Sequence, residues 1–107
     1  MARKEFQTLT EQMYYILLVL QTPHHGYEIM QLTETVSKGA VRVGAGTLYA
    51  LLARFEKGGF ICQDGTDGRK KIYVITEEGQ ELLRAEYERL KMLVECGRPY
   101  MEYRSER

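Results

Sequence analysis

At 107 residues and 12.4 kDa, with 44% hydrophobic and 28% charged side chains, the chain is sized for one domain with a modest core, and its composition excludes a disordered tail. The formal net charge of zero excludes a uniformly basic nucleic-acid binder, though not one whose charges are segregated. The longest apolar run, the eight residues Met13 to Leu20, falls far short of the roughly 20 that span a bilayer.

The chain opens on a helix. Thr8 with Glu11 has the form of a capping box, and Thr10 is a rival cap. Leu9, Met13, Ile16, Leu17 and Leu20 follow at helical spacing, while Tyr14, Tyr15, Leu18 and Val19 make the other side apolar too. A helix apolar all round is buried all round, which implies cover from a second subunit. Thr22-Pro23 ends it. A second helix is expected from about Gly26 to Ser37, carrying Tyr27, Ile29, Met30 and Val36, with Gly39 as its C-terminal stop. Gly44-Ala45-Gly46 leads into a third, from Thr47 to about Lys57, whose Leu48, Leu51, Leu52 and Phe55 form one buried stripe. Two short strands are expected next, 60–63 and 72–75, joined by a glycine- and aspartate-rich tip that carries Arg69, Lys70 and Lys71. Thr76 caps a last helix to about Cys96, where Gly97-Arg98-Pro99 is expected to break it.

Charge follows this order. Residues 1–37 carry two cations and four anions, net −2; residues 38–76 carry seven against three, net +4; residues 77–107 carry six against eight, net −2. A basic middle between acidic ends is the pattern of one surface turned towards an anion. Helix, helix, helix, basic hairpin and long helix is the layout of a winged helix-turn-helix, an α+β and mostly α fold. Residues 1–76 form the DNA-binding unit on this reading, and 77–107 a dimerisation helix and tail. Leu83, Tyr87, Leu90 and Val94, widened by Leu82 and Leu93, make a coiled-coil-like seam; with Met13, Leu17 and Leu20 they form the expected dimer interface.

Other chemistries find little support. His24 and His25 are adjacent and point apart, so a helix-start role is expected and no metal. Gly44-Ala45-Gly46 lacks P-loop spacing, and no nucleophile–base or paired-carboxylate arrangement appears, so neither an enzyme nor a cofactor is expected. Cys62 and Cys96 make no disulfide framework and are expected as buried or half-buried thiols. With a charged N-terminus that lacks a signal-type apolar region, they point to the cytoplasm and away from any membrane. The rival reading is a winged-helix protein-interaction module without DNA binding, which the neutral total charge favours and the basic middle opposes.

The stretches LTEQMYYILLVL, HGYEIM, VGAGTLYALLARFEKGGFI and GRKKIYVITEEGQELL resemble the PadR family of transcriptional regulators, from Leu9 to about Val94. The sequence departs from the family pattern at Ala45, usually proline, at Phe55, commonly leucine, and at Gly58, commonly charged. These changes touch helix ends and core volume. The short C-terminal region resembles the family's compact branch. The resemblance implies a homodimeric repressor on double-stranded operator DNA, often responsive to a small aromatic or drug-like effector. It makes the third helix the recognition helix, with Thr47 and Tyr49 at its start to hold phosphate and reach base edges, and Ala50, Ala53 and Arg54 on its open side. Arg69, Lys70 and Lys71 become a phosphate-contacting wing, and Lys38 and Arg42 complete the expected DNA surface. Drug-sensing relatives stack flat ligands on tryptophan; this chain has none. Met13, Tyr14, Tyr15, Tyr87 and Met92 are its candidate cavity residues.

Overall fold

A computed structural model describes residues 8–105; Arg3, Lys4 and Glu5 of the charge count, and Glu106 and Arg107 of the tail, lie outside them. The described elements are α1 Glu11–Val19, β1 His24–His25, α2 Gly26–Val36, α3 Ala45–Lys57, β2 Ile61–Asp67, β3 Lys70–Ile75 and α4 Glu77–Ser105. This is the mostly helical winged helix-turn-helix read from the sequence, with one strand more than expected.

Thr10, not Thr8, caps α1: its side chain accepts the Met13 N–H at 3.2 Å. The helix packs against α2 and α4, and the Leu20 carbonyl just beyond it accepts the Ile75 N–H at 2.9 Å, which ties it to the sheet. Its apolar surface is therefore covered mainly by its own chain. This corrects the expected interface: Met13, Leu17, Leu20 and Leu83 are buried in the domain core, at 7% exposure or less. Tyr14, Tyr15 and Leu18 remain partly open.

The pair His24–His25 forms the unexpected strand, antiparallel to β3 opposite Tyr73 and Ile72, giving the order β1-β3-β2. His25 then starts α2. Its Nδ1 accepts the Glu28 N–H at 3.3 Å while the Glu28 carboxylate accepts the His25 N–H at 3.2 Å, a reciprocal cap. That backbone N–H, with the His24 ring, holds the Glu28 carboxyl below its ordinary value.

At the far end of α2, the Lys38 N–H meets the Thr35 carbonyl and the Gly39 N–H meets the Glu34 carbonyl, closing the helix. Gly39 is left-handed at φ 83°, as expected of the stop, and Lys38 before it is left-handed too, at φ 57°. Ser37 Oγ accepts the Val41 N–H at 2.9 Å, and Val41 and Val43 are buried, which fixes the path into α3. That helix starts two residues before Thr47, with Gly44 as its cap. Its stripe of Leu48, Leu51, Leu52 and Phe55 is buried as read.

Gly59 at φ 83° stops α3, and the Phe60 N–H returns to the Phe55 carbonyl at 2.9 Å, both rings being buried. The hairpin that follows is longer than expected. Gly65 at φ 84° absorbs a register shift between Gln63 and Thr66, pairing resumes, and the turn shrinks to Gly68-Arg69. Lys70 and Lys71 are thus strand residues rather than loop residues.

Thr76 knots α4 to this hairpin. Its hydroxyl donates to the Gly59 carbonyl at 2.6 Å and accepts the Gly79 N–H at 3.1 Å, and its N–H donates to the Phe60 carbonyl at 3.0 Å. Leu82, Leu83 and Glu86 bury the next turns. Glu86 accepts two hydrogen bonds from Arg89, at 2.9 and 2.6 Å, and one from the Leu9 N–H at 3.4 Å. The Arg89 guanidinium, helped by that N–H and opposed by burial, holds the Glu86 carboxyl below its ordinary value.

The expected break at Gly97-Arg98-Pro99 does not occur, and α4 continues to Ser105. Pro99 costs a backbone hydrogen bond, but Arg98 pairs with Glu95 at 2.9 Å and Glu102 at 3.2 Å, bracing the helix on both sides of the ring. Cys62 and Cys96 are both exposed, against expectation, because β2 points Cys62 outward and α4 has left the core by Cys96.

Candidate nucleic-acid interface

The open side of α3 carries Thr47, Tyr49, Ala50, Ala53 and Arg54, all exposed, opposite its buried stripe. The alanines keep this side low, as approach to a groove floor requires. Lys38 and Arg42 sit apart, on the connection between α2 and α3; Arg42 Nε pairs with Glu34 at 3.2 Å, so its charge is partly met within the protein.

Tyr49 does not stand out from α3. Its ring lies against the start of α2, where Gly26 offers no side chain. Across from it runs the wing. Tyr49, Gly26, Tyr27, Arg69, Lys70 and Lys71 line one cleft of about 390 Å³, with His25 and Tyr73 beside them. Burial raises the Tyr73 hydroxyl above its ordinary pKa, with Glu56 and Tyr49 adding to the effect, so that phenol stays neutral. Arg69, Lys70 and Lys71 are exposed and make no ion pair with any described residue. Three exposed cations and three phenols thus line one opening, a positively charged and hydroxyl-rich surface.

The fold therefore brings Tyr49 together with the three wing cations, and it leaves Lys38, Arg42 and Arg54 outside their cleft. Sequence reasoning missed Gly26 and Tyr27. A glycine at the first position of a helix, flanked by His25 and Tyr27, was the available signal, but nothing local says that an aromatic ring from α3 needs the space.

A family model described as the PadR-like family of transcriptional regulators matches residues 16–85. An uncharacterized 37.1 kDa protein in transposon Tn4556 of Streptomyces fradiae is 35% identical over 80 residues, which cover 75% of this chain and 23% of that protein. The chain thus spans less than a quarter of the curated relative it matches. A PadR family transcriptional regulator from Eggerthella lenta is 25% identical, with a TM-score of 0.69 over 84% of this chain and 80% of that one. RosR of H. salinarum is also 25% identical, with a TM-score of 0.64 over 84% of this chain and 78% of its own. The matched segment runs from α1 through α3 and the β2–β3 hairpin into α4, and on that basis this chain belongs to the PadR-like family of transcriptional regulators.

Proposed function

We propose that the protein is a homodimeric, cytoplasmic DNA-binding repressor that occupies a near-palindromic operator and is released by a small aromatic or drug-like effector. The observation that carries the DNA reading is the set of unmet cations Arg69, Lys70 and Lys71, which share a cleft with Tyr49 of the recognition helix. On this reading α3 enters the major groove, the wing rests on flanking phosphates, and Lys38 and Arg42 add to the backbone contact. Family membership supports regulation, and its resemblance supports repression as the sign.

Dimerisation is assigned to α4 beyond the domain core, where Tyr87, Leu93 and Val94 are 50%, 56% and 63% exposed and Leu90 is half-buried. In place of the buried Met13, Leu17 and Leu20, the open side of α1 contributes Tyr14, Tyr15 and Leu18. Residues 1–76 then serve DNA, while 77–107 serve the dimer through their distal part. An effector fits the hollow of about 390 Å³ between α1 and α4, lined by Tyr14, Leu18, Leu83, Arg84 and Tyr87. The amides of Gln21 and Gln80 close one wall by donating to each other, both at 2.8 Å. A ligand there bears directly on the angle of α4.

Footprinting on the DNA upstream of the protein's own gene, with and without aromatic compounds, tests this. Two protected half-sites about 34 Å apart, roughly 10 base pairs, are expected, with loss of protection on adding an effector. A single unpaired footprint at dimer-maintaining concentrations overturns the dimeric operator. Absence of any DNA binding at low salt overturns the reading in favour of a protein-interaction module.

A further inference from the structure

We propose that one backbone phosphate per half-site seats in the cleft between α2, α3 and the wing, where the Tyr49 hydroxyl and the wing cations hold it, and that Gly26 is the residue that makes room. This rests on the DNA reading above and assigns Tyr49 to the backbone rather than to the bases.

The inference starts from a glycine without a backbone reason. Gly26 has no left-handed φ, and it opens a helix, where alanine is the better former. Space is the reason. A methyl there would overlap the Tyr49 hydroxyl and stand 2.8 Å from Cζ and 3.1 Å from Cε1 of the same ring. Any side chain at 26 therefore expels the phenol from its seat. Seated, the ring lies along the protein, with its hydroxyl end beside α2 rather than directed away from α3. No described residue accepts or donates a hydrogen bond at that hydroxyl. Arg69, Lys70 and Lys71 line the same cleft, also without an ion-pair partner among the described residues. An unpaired phenol donor and three cations around one opening suit a tetrahedral oxyanion, which accepts from several directions at once. A neutral base edge gains less from three cations than a charged phosphate does.

The test uses the full chain and duplexes carrying a single neutral methylphosphonate at each position in turn. With the unaltered protein, one position per half-site is expected to cost about tenfold in affinity, the size of one charge-assisted hydrogen bond. Tyr49→Phe and Gly26→Ala are each expected to lose a similar factor on operator and random DNA alike, and to pay a smaller cost for that one substitution, the part the wing cations still supply. The three atoms nearest the new methyl in Gly26→Ala all belong to the tip of a side chain that can swing outward, so the variant folds, as circular dichroism will show. If Tyr49→Phe instead changes the operator-to-random ratio and keeps the full cost of every methylphosphonate, the phosphate seat is overturned while the DNA reading stands. A protein that binds no DNA fails the earlier reading instead. In that case, titration with inorganic phosphate that leaves the Gly26 and Tyr27 amide resonances unmoved removes the anion seat as well.

Discussion

Replacing Gly79 with alanine puts a methyl into the close approach of α4 to the Phe60 backbone at the foot of the hairpin. That methyl would overlap the Phe60 carbonyl oxygen and stand 2.6 Å from Ile75 Cγ1. Neither neighbour gives easily: Phe60 is fixed by its own N–H bond to Phe55, and Ile75 by its N–H bond to Leu20. Wedging a methyl against such a contact costs about 3 kcal/mol. Displacement of the helix start stretches two hydrogen bonds, Thr76 N–H to Phe60 and Gly79 N–H to Thr76, at about 0.5 kcal/mol each. Better helix propensity returns about 1 kcal/mol. The expected net loss is about 3 kcal/mol, on the order of 15 °C in melting temperature for a chain of this size. Urea unfolding followed by circular dichroism measures it, with Gly97→Ala as the control. Gly97 has no neighbour within 4 Å, so there alanine should be neutral or stabilising. A Gly79→Ala protein as stable as its parent would mean that α4 is not seated on Phe60, and the placement of the dimer seam would fall with it.

Lys38→Gly removes the left-handed lysine at the end of α2 and should stabilise the domain by about 1 kcal/mol, while removing one proposed DNA cation; melting and binding assays should therefore move in opposite directions. Because the Glu86 carboxyl lies below its ordinary value when folded, its contribution is present above the unfolded carboxyl range and is lost as pH falls through the lower folded value. Glu86→Gln should thus flatten the acid side of the stability profile and lower stability near neutrality; an unchanged profile would show that the bond to Arg89 contributes nothing. Val94→Glu alters a residue that its own chain leaves open, so the monomer should stay folded while sedimentation shows the dimer lost. An undisturbed dimer would place the seam elsewhere.

The helix α3 was legible because Leu48, Leu51, Leu52 and Phe55 obey one period and Gly58-Gly59 ends it. The wing was legible as two β-type runs with cations between them. Its true length was not, since Gly65 reads as a turn residue whereas the chain uses its φ to absorb a register shift and carry on pairing. His24–His25 is too short to carry any period, and only its partner β3 makes it a strand. The interface residues on α1 were misplaced for a related reason. An apolar helix announces burial but not by whom, and here α2, α4 and the end of β3 supply the cover. Pro99 looked like a stop because side-chain bracing by Arg98 is invisible to a backbone rule. The cleft was half legible: its cations stand out in the charge count, while its glycine acquires meaning only once Tyr49 is seen lying on it.

The salt dependence of DNA binding tests the account most directly. Each phosphate neutralised releases counterions and adds about 0.9 to the slope of log affinity against log salt. If Arg69, Lys70 and Lys71 meet phosphates, alanine at any one of them should weaken operator and random DNA alike and flatten the slope by about 1 per subunit. Tyr49→Phe, which leaves the charge unchanged, should weaken both DNAs with the slope preserved. Wing variants whose affinity and slope match the unaltered protein would contradict the account, leaving the hairpin a solvated ribbon and the cleft without a ligand.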